Sequence, residues 1–327
     1  MTGFILRRLL SSIPVILLSS FLVFSMVALT GDPLARMRQN PLASRATIEL
    51  KEKEFGIDKR VDQRYFTWAT NVAQGDMGKS FIDGENVQSK LRRSFGVTFR
   101  LVILASALAV LFAIALGLFS AVKQYSPGDY AGTFFAFVFF SMPVFWFAGV
   151  LKDLGIRFNE RVGSTVFYTV GERTPNLAGS WYEWDNIANR LGHLALPTMT
   201  LMLVTMAGWS RFQRAAMLDV LSSDYVRTAR AKGVSEFGVI MRHGFRNALI
   251  PLTTVVAIDF AGLVGGAVIT ETVFAWHGIG RVVLNGINDG DVNVVAGGLM
   301  VVAVVVVVFN LVADILYAVL DPRIRNA

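Results

Sequence analysis

Six runs of about twenty apolar residues set the fold: Leu9–Leu29, Leu101–Val122, Ala131–Leu151, Leu191–Ser210, Ala248–Thr270 and Val292–Ala313. A helix needs roughly 20 such residues to cross the hydrocarbon core of a bilayer. The fourth run is the weakest, because His193 and Pro197 fall in its first half. The sixth contains five consecutive valines, Val304–Val308. In water that run would favour a strand. In lipid an open strand leaves backbone groups unpaired, so a helix is expected.

Composition agrees. Only 17% of the 327 residues are charged, against about a quarter in soluble domains, and the mean hydropathy is +0.52. The net charge of +7 raises the question of a nucleic-acid partner. Retention of Lys and Arg on the cytoplasmic side accounts for it without one, so no nucleic acid is expected. With no cysteine, thiolate metal sites, disulfides and cysteine nucleophiles are excluded. Leu9–Leu29 follows Arg7 and Arg8 as a signal peptide would. Its 21 residues exceed an ordinary signal core of about 7–15, so it reads as a retained first span.

Lys and Arg in the short connections orient the helices. Arg7 and Arg8 place the N-terminus inside. Residues 211–247 then also fall inside, with Arg211, Arg214, Arg227, Arg230, Lys232, Arg242 and Arg246 against three acids. The connection 271–293 falls outside and the tail, with Arg323 and Arg325, returns inside. Both termini are expected to be cytoplasmic. Residues 31–97 and 153–192 are expected to be extracytoplasmic, and the whole chain, 1–327, to form a single transmembrane domain. Trp181, Tyr182 and Trp184 fit an aromatic belt at the headgroups.

Candidate chemistry is sparse. Ala73-Gln-Gly-Asp-Met-Gly78-Lys79-Ser80 is one glycine short of a phosphate-binding loop. No strand-like run precedes it, and the topology puts it outside, so the resemblance is read as chance. His193, His243 and His277 are scattered without partners at metal-ligand spacing. Neither catalytic residues nor a bound cofactor is expected of this chain, and a membrane-embedded enzyme has nothing to stand on.

Asp259, near the middle of the fifth span, is a carboxylate where charge is costly. It either lines a path for a cationic part of a substrate or holds a hydroxyl or backbone group of a neighbouring helix. Gly262 and Gly266 form a G-x-x-x-G that lets two helix backbones approach. They serve either a subunit interface or pathway, or close packing within the chain. Pro143, Pro197 and Pro251 would break or start helices, and Pro251 suits the first turn of the fifth span.

The basic segment 211–247 carries more than charge. Ser222-Ser223-Asp224 offers N-cap side chains, Tyr225–Lys232 can form about two helical turns, and Gly233 supplies a stop. Ala229, Ala231 and Gly233 are small enough to let another protein approach. A loop that only held positive charge inside would need none of these. From Ser235 an amphipathic piece leads to Asn247.

These residues, in this order, resemble the permease subunit of dipeptide/oligopeptide-type ABC importers, the B-type subunit that pairs with a C-type one. Asp224-Tyr-Val-Arg-Thr-Ala-Arg-Ala-Lys-Gly233 with Arg246-Asn-Ala-Leu-Ile-Pro251 resembles the ATPase-coupling motif of that subfamily. Gly265–Trp276, Gly278–Arg281, Tyr317–Arg325, Gly31-Asp-Pro33, Phe55–Asp58 and Gly75–Ser80 continue the resemblance over nearly the whole chain. It departs at His277, at Gly290–Asn293 and in the long 153–192 loop.

The resemblance implies an all-α, type I importer-like membrane protein in the cytoplasmic membrane of a prokaryote. Its partners would be a second permease subunit, two cytoplasmic ATPases that carry ATP and Mg, and an extracytoplasmic binding protein. It assigns Asp224, Tyr225, Arg227, Thr228, Ala229, Arg230, Ala231, Lys232 and Gly233 to ATPase coupling. It also implies peptides as substrate, with oligosaccharides or a nickel chelate as alternatives. An ion-coupled secondary transporter is a more distant alternative, disfavoured because no internal repeat is found.

Overall fold

The computed structural model describes residues 2–39, 44–175 and 183–320. Trp181, Tyr182 and the tail Asp321–Arg325, singled out above, lie outside the described residues. The described chain is helical, with α1 (Thr2–Thr30), α2 (Ala35–Gln39), α3 (Arg45–Phe55), α4 (Val61–Ala73), α5 (Val87–Val122), α6 (Pro127–Ser141) and α7 (Val144–Val162) in its first half. The second half has α8 (Trp184–Leu221), α9 (Asp224–Ala231), α10 (Glu236–Gly238), a π-helix (Val239–Phe245), α11 (Arg246–Gly266), α12 (Val268–Val273), α13 (Ile279–Asp289) and α14 (Val292–Leu320). Among the described residues, five helical stretches are long and apolar enough to cross a membrane: Leu6–Thr30, Val87–Val122, Trp184–Leu221, Glu236–Val273 and Val292–Leu316.

The third expected span is corrected. Ala131–Leu151 is not one helix but the junction of α6 and α7, which meet at 109°. Pro143 forces the break. A proline drives the residue before it out of helical geometry, and Met142 is extended at φ −73°, ψ 132°. Counted together as one broken span, the two helices would bring the number of spans to six.

The chain forms two compact units. Residues 1–98 with 277–307 make the first. Its apolar core joins α1, α4 and α14 through Phe24, Tyr65, Trp68, Val292 and Ala296. A second cluster joins α5, α13 and α14 through Val87, Leu91, Ile279, Val283, Val294 and Val295. The Tyr65 hydroxyl meets Ser20 Oγ at 2.9 Å and donates to the Leu17 carbonyl at 3.1 Å, pinning α4 on α1. Ser80, in the loop that mimics a phosphate site, donates to Asp291 Oδ2 at 2.5 Å, and Phe81 N donates to the same oxygen at 3.1 Å. Asp291 also accepts from Val294 N at 3.2 Å, in the first turn of α14. Gly78-Lys79-Ser80 is therefore a structural strap across the start of the last span. A Cβ at Gly31 would stand 2.9 Å from the Gly290 Cα, so glycine there is a matter of space.

Residues 99–276 with 308–327 make the second unit, with α8 packed on α6, α7 and α11. Its core is Ala109, Ala113, Met202, Trp209 and Leu252. The helix α8 is longer than the expected fourth span. It runs unbroken past Pro197, where a helix break or start was expected, and carries Arg211 and Arg214 as helical residues rather than loop residues. The polar residues that weakened the fourth run are accommodated: His193 is buried, stacked on Tyr168 at 4.3 Å, and its Nδ1 meets the Gly171 carbonyl at 2.9 Å. Pro251 also differs from expectation. It lies inside α11, not in its first turn. Proline cannot donate to the carbonyl four residues back, here that of Asn247, and the π-helix ends just upstream at Phe245.

Candidate coupling surface

The basic segment folds as read: α9 spans Asp224–Ala231 and ends at a left-handed glycine. Gly233 has φ +79°, its N–H reaches the Arg230 carbonyl at 2.9 Å, and Val234 N reaches the Ala229 carbonyl at 3.2 Å. A Cβ there would meet nothing within 4 Å. The glycine is needed for its backbone angle, not for room.

The expected side-chain cap is not made. Ser223 takes the N-cap position, yet its hydroxyl donates back to the Val220 carbonyl at 2.6 Å, and Ser222 Oγ donates to the Asp219 carbonyl at 2.8 Å. Both serine hydroxyls close the end of α8, and α9 opens on the Ser223 carbonyl, which accepts from Arg227 N at 3.1 Å. The cap reading thus placed the helix start correctly and the hydrogen bond wrongly.

One face of α9 is anchored within the chain. Val226 and Ala229, three residues apart and therefore neighbours on a helix, are buried with Val239 of the π-helix against Val220 of α8. Ala229 is small because it packs inward, which removes it from the surface a partner could touch. Asp224, Tyr225, Arg227, Thr228, Arg230, Ala231 and Lys232 are exposed. Thr228 Oγ1 donates to the Asp224 carbonyl at 2.8 Å. Arg230 holds Glu236 through Nε at 3.1 Å and Nη2 at 2.7 Å, tying α9 to α10 across the glycine turn. Asn247 Nδ2 donates to the Tyr225 hydroxyl at 3.0 Å, tying α9 to the start of α11. The short helix is thus fixed to both α8 and the fifth span.

The Gly244 backbone runs close to α8: a Cβ there would stand 2.9 Å from Met217 Cε. Met217 is itself buried with Ala121 and Ala248. An apolar seam therefore continues from the base of α9 into the helices that cross the membrane.

The arginines ahead of α9 do more than hold a loop inside. Arg214 forms two hydrogen bonds with Asp129, at 3.1 and 2.9 Å, and Arg211 lies over Phe137 and Phe140 at 4.5 and 5.3 Å. Asp129 was not singled out by sequence. Its one local signal was the Ser126-Pro127 helix start, where Ser126 Oγ accepts from Asp129 N at 3.2 Å.

The three pathway candidates, Asp259, Gly262 and Gly266, separate. The Asp259 carboxylate accepts a hydrogen bond from Trp209 Nε1 at 2.7 Å, so a neighbouring helix does engage it. The partner is an indole, neither a hydroxyl nor a backbone group. Gly262 is exposed, and a Cβ there would meet nothing within 4 Å among the described residues. Close packing among the described residues therefore does not explain glycine at 262. Gly266 closes α11.

Residues 113–326 match the family of binding-protein-dependent transport system inner membrane components, and residues 1–102 match the N-terminal part described for such components. The chain belongs to this family. Curated relatives include the oligopeptide transport system permease protein OppB of Mycobacterium bovis, 39% identical over 99% of both chains. AppB of Bacillus subtilis, also named an oligopeptide permease, is 38% identical over 99% of this chain and all of its own. The dipeptide permease DppB of Alkalihalophilus pseudofirmus is 35% identical with the same coverage. Among solved structures, a chain of the MetNI methionine ABC transporter superposes with a TM-score of 0.53 at 15% identity, over 71% of this chain and 96% of that one. That likeness concerns the fold. The chain is accordingly a permease subunit of an ABC importer and an inner membrane component.

Proposed function

We propose that this permease forms half of a peptide pathway and is driven through α9 by separate ATPase subunits. The observation that carries the reading is the anchoring of α9. Val226 and Ala229 fix its inner face to α8 and the π-helix, while its outer face is polar and exposed. A partner that displaced the outer face would move α8 and the fifth span together. Asp224, Tyr225, Arg227, Thr228, Arg230, Ala231 and Lys232 are the contact residues in this reading, and Gly233 holds the helix end in register. Ala229 is an anchor.

In this reading ATP and Mg belong to two cytoplasmic ATPases, and a second permease completes the path. An extracytoplasmic binding protein delivers the solute, and both termini lie in the cytoplasm. Residues 31–97 and 153–192 face outside. Gly262 faces open space among the described residues and is assigned, with Gly266, to the contact with the second permease or to the path. Peptides are the proposed substrate class because the full-length relatives carry oligopeptide, dipeptide and glutathione names. The work of the chain is a change of conformation, so each state needs contacts that favour it.

The absence of cysteine makes a direct test clean. A single cysteine at Ala231 or Thr228 should cross-link to a cysteine on the ATPase surface, and the yield should change with ATP. No cross-link from either position in an assembled, transport-active complex would sink the coupling assignment. Stimulation of ATP hydrolysis by peptide-loaded binding protein in proteoliposomes tests the substrate class. Stimulation by an oligosaccharide or a nickel chelate alone would replace it.

A further inference from the structure

The first unit contains a cleft of about 350 Å³ between α3, α4, the 76–81 loop and the start of α14. That is within the range of small-ligand sites, which run from about 300 to 1,000 Å³. Four cationic side chains line it, Lys53, Lys59, Arg64 and Lys79, against two acids. Both acids are already engaged. Glu54 pairs with Lys51 at 2.6 Å, and Asp76 Oδ1 accepts from Gly78 N at 2.8 Å. The four cations make no ion pair among the described residues, so the lining has positive charge in excess.

The second observation is an orphaned donor. Trp68 is 6% exposed, lines the cleft, and its Nε1 is buried with no hydrogen-bond partner among the described residues. A buried donor left unmade costs on the order of 1–3 kcal/mol, so such groups normally mark a missing acceptor. Arg64 and Trp68 are four residues apart on α4 and therefore share one face. Arg64 is half-buried, and burial holds its guanidinium below the ordinary arginine pKa, as expected of a cation without a counter-charge. Phe81, stacked on Phe55 at 4.4 Å, supplies an apolar wall.

We propose that this cleft is a carboxylate-binding site, in which Arg64 and the Trp68 N–H hold the anion and the rim lysines attract it. A carboxylate accepts several hydrogen bonds at once and pairs with guanidinium in parallel. The group comes either from a small solute or from an acidic side chain of the extracytoplasmic binding protein. The second source rests on the function proposed above, and the first does not.

The test uses the whole importer complex in nanodiscs, where both faces are open to solution. Ligand-observed NMR titration with N-acetyl-phenylalanine and with its amide asks whether the carboxylate is required. Arg64→Gln and Trp68→Phe are each expected to weaken the acid about tenfold, Arg64→Lys less, and the amide should bind poorly throughout. Should the free acid not bind, the same variants are expected to weaken the binding protein tenfold while ATP hydrolysis without that protein stays at the wild-type rate. Trp68→Phe keeps the ring and removes only the N–H, so it remains informative if Arg64→Gln fails to assemble. Measurable binding of acid and amide with equal affinity, or no weakening by Trp68→Phe of either the acid or the binding protein, overturns the proposal.

Discussion

Arg214 grips Asp129 through two parallel hydrogen bonds, Nε to Oδ1 at 3.1 Å and Nη2 to Oδ2 at 2.9 Å, with the carboxylate only 3% exposed. The pair ties α8 to the first turn of α6, one helix from the 109° bend. Breaking a buried pair leaves an uncompensated charge and costs about 3–5 kcal/mol. Asp129→Asn and Arg214→Met should each lower the unfolding midpoint of the purified complex sharply. The double variant should recover much of the loss. A double variant as unstable as the sum of the two singles would show that the residues do not act as a unit.

Asp291 gives a pH dependence of definite sign. Burial raises its carboxyl above the usual 3.8, and the hydrogen bond from Ser80 offsets only part of that. The folded chain then holds this proton more tightly than the unfolded chain. Stability from this group therefore rises as pH falls through the raised folded value towards 3.8, and is lost as pH rises back through that window. Asp291→Asn should flatten this part of the profile. Thermal midpoints of wild type and variant across mildly acidic pH measure it, and parallel profiles would remove Asp291 as the cause.

The membrane spans were legible because a bilayer demands a length of apolar chain, and hydropathy reports length well. Direction is another matter. Pro143 signals a helix break, but residues on both sides of it are equally apolar, so Ala131–Leu151 counts as one span and nothing in it gives the direction its backbone takes at Met142. Gly233 was legible because a helix that ends in a left-handed residue selects glycine. Ala229 was legible as small and misread as outward, since size does not say which face of a helix is packed. Asp129 and Arg214 lie 85 residues apart and on different helices, so nothing local joined them. The π-helix at Val239–Phe245 likewise left no mark beyond an amphipathic pattern that an α-helix would also show.

Asp259 and Trp209 distinguish charge from hydrogen bonding. Asparagine at 259 keeps a carbonyl oxygen that can accept from the indole N–H, while alanine leaves that buried donor unmade. Asp259→Asn should assemble normally and, if the charge serves the path, alter transport. Asp259→Ala should also weaken the complex, by the on-the-order-of 1–3 kcal/mol of an unsatisfied donor. Uptake over a range of peptides, with assembly checked by size-exclusion chromatography, separates the two. Wild-type uptake by Asp259→Asn would assign the carboxylate to holding Trp209.

Gly233 offers a graded series in which bulk and backbone can be told apart. Its φ of +79° strains any residue with a Cβ, by roughly 1–2 kcal/mol for an ordinary side chain. Asparagine tolerates that region better than alanine, and a β-branched residue tolerates it least. Among the described residues, apart from its chain neighbours, nothing lies within 4 Å of the added atom. If the glycine serves only to end α9, transport should fall in the order Gly, Asn, Ala, Val, with assembly falling in parallel. If the ATPase packs against this turn, Asn should be worse than Ala despite its easier backbone, because it is the larger side chain. ATP-driven uptake and ATPase co-purification for the four variants decide between the orders. The second order would place the partner surface directly on the glycine turn, and the first would confine it to the exposed face of α9.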